Sequence, residues 1–208
     1  MIGVVRKAYA AVAGALQIRR SNVTRSSPQR DPLTETFIPW LRSVRHARVM
    51  ELGTRRSNPN VSTMHGDWLA PDATLIGVDF ETGLDVDVVA DAERLTEVFE
   101  PASFDAVIAC SVFEHIRKPW KAAVEIGKVL RPGGRVFVQT HFAFPIHAYP
   151  YDYWRFTREA LETLFDAEAG FGTIASYYDF PCKIVSDRVP QTADAEAYLN
   201  VCIIAERM

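Results

Sequence analysis

Residues 49–59 read VMELGTRRSNP. An apolar run, ARVMEL (47–52), enters Gly53, and the chain then passes through Arg55 and Arg56. A buried strand that ends in a glycine turn and leads into a helix is the place where α/β proteins hold nucleotide-like cofactors. A dinucleotide turn carries three glycines in the pattern G-x-G-x-x-G. Here Arg55 and Asn58 stand at the second and third of those places. A pyrophosphate needs close approach to bare backbone, and side chains at those places hinder it. A cofactor without phosphates needs less room, so the turn favours a single nucleoside over a dinucleotide.

The same alternation of apolar runs and helical patterns continues on both sides of this turn. Phe37, Trp40, Leu41 and Val44 lie at i, i+3, i+4 and i+7 and predict a helix over 36–46, with Pro39 in its first turn. Short Val/Ile/Leu-rich runs predict strands at 47–53, 73–79, 86–91, 104–110 and 135–140, and two closing strands at 173–180 and 199–207. Helices are expected at 120–130, stopped by RPGG (131–134), and at 157–165, with Thr157 as N-cap. Continuous apolar strands alternating with helices imply a parallel sheet covered on both faces. The fold expected is therefore α/β and Rossmann-like. Residues 33–208 form its single domain, and residues 1–32 an N-terminal helix and linker that acts as a lid or dimer contact.

Bulk composition narrows the class. The chain has 208 residues and a net charge of −3, with 48% hydrophobic and 24% charged residues, which is ordinary for a folded protein and argues against nucleic acid as partner. Its three cysteines, Cys110, Cys182 and Cys202, are widely spaced and show neither a disulfide framework nor a zinc pattern, so a reducing cytoplasm is expected. The apolar stretch Ala8–Ile18 is too short to span a bilayer, and its charges, Arg6 and Lys7, do not open the chain as a signal peptide's would.

In parallel sheets ligands sit beyond the carboxyl ends of the strands, near the switch point. The polar residues fall at those ends: Glu51 and Gly53, Asp79, Asp91, Cys110 and Ser111, and His141. A carboxylate after the second strand can accept two hydrogen bonds from a ribose diol, which suits Asp79. Asp91 could accept from an exocyclic amine. Either aspartate could instead be a turn or cap residue.

With these residues in place the chain resembles the class I S-adenosylmethionine-dependent methyltransferases over residues 45 to 166. VMELGTRRSNP resembles the family's first motif and LIGVDFETGLDVDVVADAERL its second and third. FDAVIACSVFEHIRKPWKAAVEIGKVLRPGGRVFV, with its FD…V, EH…P and LRPGG elements, is the most specific stretch. HFAFPIHAYPYDYWRFTREAL is similar to a subgroup found among glycan and cell-surface biosynthesis enzymes. The resemblance implies a seven-stranded sheet of order 3-2-1-4-5-7-6 with the last strand antiparallel, and S-adenosyl-L-methionine as cofactor. Carried over by position, Glu51 and Gly53 line its methionine part, Asp79 binds the ribose, Asp91 and Ala92 flank adenine, and Ser111 and His115 sit near the sulfonium. Arg55 stands where the family commonly has its second glycine, which implies either a reshaped loop, with Arg55 or Arg56 pairing the cofactor's carboxylate, or an impaired affinity for the cofactor.

Transfer to a hydroxyl also requires a base. His141, directly after the fifth strand, is the first candidate and His147 the second; a structural role is the alternative for each. Tyr149, Tyr151, Tyr153 and Trp154 alternate with polar groups and suit stacking on sugar rings, with Asp152 and Arg155 either a salt bridge or a clamp on substrate hydroxyls. No metal site is expected: the fourth strand ends in Cys110-Ser111, and Asp152 with His141 or His147 could gather one only through folding. The reading is an O-methyltransferase acting on a saccharide or related small molecule, a homodimer being compatible with it. A degenerate methyltransferase fold serving as a binding or scaffold protein is the alternative, and a nicotinamide-dependent oxidoreductase is disfavoured by the missing glycines.

Overall fold

The computed structural model describes residues 31–208, so the helix and linker expected before Asp31 lie outside the described residues. Seven strands form one sheet in the order β3-β2-β1-β4-β5-β7-β6. They are β1 (Arg48–Leu52), β2 (Thr74–Asp79), β3 (Val88–Val89), β4 (Phe104–Cys110), β5 (Leu130–His141), β6 (Phe171–Cys182) and β7 (Ala197–Arg207). The pairs among β1 to β5 are parallel, and β7 runs antiparallel to both β5 and β6. This is the expected Rossmann-like order. Strands are added outward on one side of β1 up to β3 and on its other side from β4 onward, so the crevice above the carboxyl ends of β1 and β4 is open for a ligand.

Side-chain alternation along the central strands builds two cores. On one face Val49, Ala106, Ile108, Phe137, Cys202 and Ile204 meet Phe37 and Leu41. Those two belong to α1, a π-helical turn at Leu33–Phe37 that continues as an α-helix over Ile38–Ser43. On the other face Met50, Val107, Val136 and Ile203 meet Ala123 and Ile126 of α2 (Pro119–Val129) and Leu161 of α3 (Arg158–Leu164). Thr157 caps α3 as expected, its hydroxyl accepting from the backbone N–H of Ala160 at 3.1 Å. No helix among the described residues is long and apolar enough to cross a membrane.

Four elements differ from expectation. The first helix begins at Leu33 rather than Thr36, because a π turn, closed by the Ile38 N–H on the Leu33 carbonyl, precedes Pro39. The wider turn relieves the clash that a proline ring makes with the preceding helical carbonyl. β3 shrinks to two residues because aspartates take over at its ends: the Asp87 carboxylate accepts from the Gly77 N–H at 2.8 Å, and Asp91 caps the next turn. RPGG does not separate α2 from β5 but lies within β5, whose Leu130 already pairs with Phe104. No helix follows the glycine turn. The chain from Gly53 to His65 is loop, followed by a 3₁₀ turn at Gly66–Trp68.

Phe37 is fully buried, with ring centroids 5.9 Å from Trp40 and 5.5 Å from Phe137. Phe37→Ala should cost about 3–4 kcal/mol through lost burial and the cavity left behind. Chemical denaturation should show this as a lower midpoint at unchanged slope.

Candidate functional site

Gly53 has φ +74°, and a Cβ there would come within 2.4 Å of Val112 Cγ2, so the turn out of β1 passes under the chain that leaves β4. Only glycine meets both conditions without strain. The next residues fold back onto the end of β2. The Gly53 N–H donates to the Val78 carbonyl at 2.8 Å, and the Arg55 N–H to Asp79 Oδ2 at 3.0 Å. Both arginine side chains are engaged by nearby acids. Arg55 Nη2 lies 3.0 Å from Glu81 Oε2, and Arg56 makes a two-pronged pair with Asp85 at 2.5 and 2.8 Å. These contacts direct the two guanidinium groups to acids of this chain.

A cavity of about 640 Å³ opens at the switch point. Of the residues singled out from the sequence for the cofactor, Gly53, Asp79, Asp91, Ala92 and His115 line it, and Tyr151 and Tyr153 close its rim. Glu51, Arg55 and Ser111 are not among its lining residues. Glu51 is buried and accepts from the His65 backbone N–H at 3.0 Å, with the His65 ring 2.6 Å away. Ser111 follows β4 with φ +56°. Asp91 Oδ1 accepts from the Glu93 N–H and so also serves as a cap.

Asp79 Oδ1 and Oδ2 each accept one backbone N–H, from Glu81 and Arg55, and each oxygen keeps a second lone pair. Asp79 thus fits a ribose diol while holding the turn in place. Phe80, 59% exposed, presents a ring in the same cavity beside Ala90 and Ala92, a flat apolar surface that suits a nucleobase. Arg117 also lines the cavity and is the guanidinium there available to an anionic group of a ligand. Phe80 and Arg117 were missed from sequence because no spacing rule marks them. The donor set fits an adenosyl cofactor.

The expected bases stand apart from one another in their surroundings. His141 is buried, with Nδ1 2.9 Å from Asn200 Oδ1 and Nε2 3.0 Å from Glu114 Oε1, and its ring stacks on Phe144 at 4.0 Å. Burial disfavours its charge, but the bonds to Glu114 and Asn200 outweigh that and raise its pKa. Glu114 is fully buried. Burial pushes its pKa up, and His141 and the Thr140 hydroxyl, which donates to Oε2 at 2.7 Å, bring it below the ordinary value. His141 with both nitrogens engaged is a partner of Glu114 and is poorly placed to take a proton from substrate. His147 is half-buried at the rim, its Nδ1 3.1 Å from the Pro145 carbonyl.

The rest of the rim is held by its own contacts. Asp152 pairs bidentately with Arg155 at 2.6 and 2.9 Å and accepts the His147 N–H. The Arg155 guanidinium holds the Asp152 carboxyl well below its usual range, against the opposing effect of burial. Trp154 Nε1 donates to the Ile116 carbonyl, and Tyr149 stands 87% exposed. Glu114 is the central residue that the sequence reading passed over, although it sits in the quoted EH motif.

Residues 67–138 match the family model described as a methyltransferase domain. The chain carries the methyltransferase fold. A S-adenosylmethionine-dependent methyltransferase structure from Archaeoglobus fulgidus is 15% identical with TM-score 0.57, over 82% of this chain and 90% of that one. Another from Mesorhizobium loti is 16% identical with TM-score 0.55, over 81% and 96%. The [4+2]-cyclase SpnF is similar at 15% identity and TM-score 0.54, over 82% and 79%. Comparison with curated proteins finds no match. The domain match begins after the glycine turn, the stretch that departs from the resemblance. It and the methyltransferase neighbours support S-adenosylmethionine as the cofactor.

Gly53→Ala should destabilise the protein by about 2 kcal/mol through the left-handed φ and the overlap with Val112. Val112→Ala relieves the overlap but not the φ. A double-mutant cycle by denaturation should therefore give a favourable coupling of about 0.5–1 kcal/mol with part of the loss retained.

Proposed function

We propose that this chain is a S-adenosylmethionine-dependent O-methyltransferase acting on a hydroxyl of a saccharide or related small molecule. The observation that carries the reading is Asp79, a carboxylate with free lone pairs at the end of β2, lining a cavity at the switch point of this sheet. Glu51 and Ser111, outside that lining, border the turn and the end of β4 and act on the cofactor indirectly, through the loops they hold. The cofactor supplies an electrophilic methyl whose departure leaves a neutral thioether, so no acid is needed for the leaving group.

The protein's part is alignment and proton handling. Tyr151 and Tyr153 at the cavity rim, with exposed Tyr149 and Trp154 beside them, offer aromatic faces to a sugar ring. The Asp152–Arg155 pair fixes the loop that carries them. The hydroxyl proton goes to the histidine cluster around Glu114, to His147 at the rim in preference to enclosed His141. The enzyme acts in the cytoplasm, with the segment before residue 33 serving as lid or dimer contact.

Calorimetric titration with S-adenosylhomocysteine tests the reading. The folded protein should bind in the micromolar range, and Asp79→Asn should bind at least tenfold more weakly, the loss expected for a charge-assisted hydrogen bond. A well-folded protein that does not bind would favour the scaffold alternative.

A further inference from the structure

Three imidazoles converge on one buried carboxylate beside the cavity. The Nε2 atoms of His141, His115 and His147 lie 3.0, 3.9 and 3.9 Å from Glu114 Oε1. That oxygen meets His141 as an ion-pair contact but accepts no hydrogen bond, although the residue is fully buried. The ligand-type atoms of Glu114, His115 and His147 all lie within 4.8 Å of one another.

The far sides of the two rim rings are fixed as well. His115 Nδ1 is 2.9 Å from the Tyr151 carbonyl, and His147 Nδ1 is 3.1 Å from the Pro145 carbonyl. A carbonyl can only accept, so in the neutral ring the proton sits on Nδ1 and the Nε2 lone pair is turned toward Glu114. Backbone or carboxylate acceptors behind ligating histidines fix the tautomer in this way at metal centres.

We propose that Glu114, His115 and His147 form a binding site for a first-row divalent transition metal of the zinc, cobalt or manganese type, with His141 as a positioning residue for the carboxylate. Two imidazoles and one carboxylate suit a borderline cation and not magnesium, which prefers an oxygen shell. Ligand bonds of about 2.0–2.2 Å require the three groups to close by about an ångström, with open positions left for water or acceptor. His115 also lines the cavity, so the cation lies next to it. The site deepens the proposed function only through this place; coordination itself does not depend on methyl transfer. With the cation bound, His147 is a ligand and not a free base.

The test is a Co²⁺ titration of the untagged, chelator-stripped full chain, followed by visible absorption without cofactor. One equivalent should give ligand-field bands, displaced by Zn²⁺ and not by Mg²⁺. His115→Ala and His147→Ala should each weaken binding at least tenfold. His46→Ala, whose ring pairs with Asp72 outside the cluster, should not. Zn²⁺ should also raise the melting temperature of the unaltered protein, a readout independent of any variant's folding. Absent bands, or bands unaffected by both substitutions, would overturn the site. Loss of S-adenosylhomocysteine binding with the bands intact would overturn only the methyltransferase reading.

Discussion

The buried carboxylate of Glu114 organises the upper edge of this protein. Its side chain receives Thr140 from β5 and faces His141 at the end of that strand. Its backbone carbonyl accepts the N–H groups of Tyr153 and Trp154, at 2.9 and 3.2 Å, from the rim loop. A charge removed from water is tolerated only where partners surround it. Meeting that condition brings the end of β5 and the rim loop together over the residues that follow β4. The aromatic rim therefore has a fixed base, and its exposed rings project from a loop held at both ends, by Glu114 on one side and the Asp152–Arg155 pair on the other.

The glycine turn is held by different means. Where a dinucleotide loop relies on bare backbone, this turn relies on carboxylates. Asp79 and Asp85 hold the backbone of Arg55 and the side chain of Arg56. Arg55, at the second glycine place, and Arg56 beside it are thereby both tied to acids at or just after the end of β2, and the space above β1 is shaped from there.

The centre of the sheet was legible in the sequence because β1, β4 and β7 are buried on both faces and read as apolar runs. The order of the strands came with the family resemblance. The edges were less legible. β3 is cut short by aspartates whose carboxylates compete for backbone donors, and the Arg131-Pro-Gly-Gly stretch is a bulge inside β5, between the pairs Leu130–Phe104 and Arg135–Ala106, that no local pattern announces. Within the site, Asp79 was readable because its place after β2 has a chemical meaning. The Glu114 cluster was not readable, since it gathers residues 114–115, 141 and 147, whose proximity depends on the β4–β5 pairing and the folded rim. The partners of Arg55 and Arg56 were hidden for the same reason, since Asp79 ends β2 and Glu81 and Asp85 lie in the loop after it.

The placement of β7 bears on how the chain is made. It is the last of the described strands in sequence, yet it lies between β5 and β6 and pairs with both. Until it pairs, β5 is held on one side only, by β4, and β6 has no partner in the sheet. Such edges invite pairing with other chains. A chain cut before residue 197 would thus hold β6 outside the sheet and leave the β7 side of β5 as an open, adhesive edge.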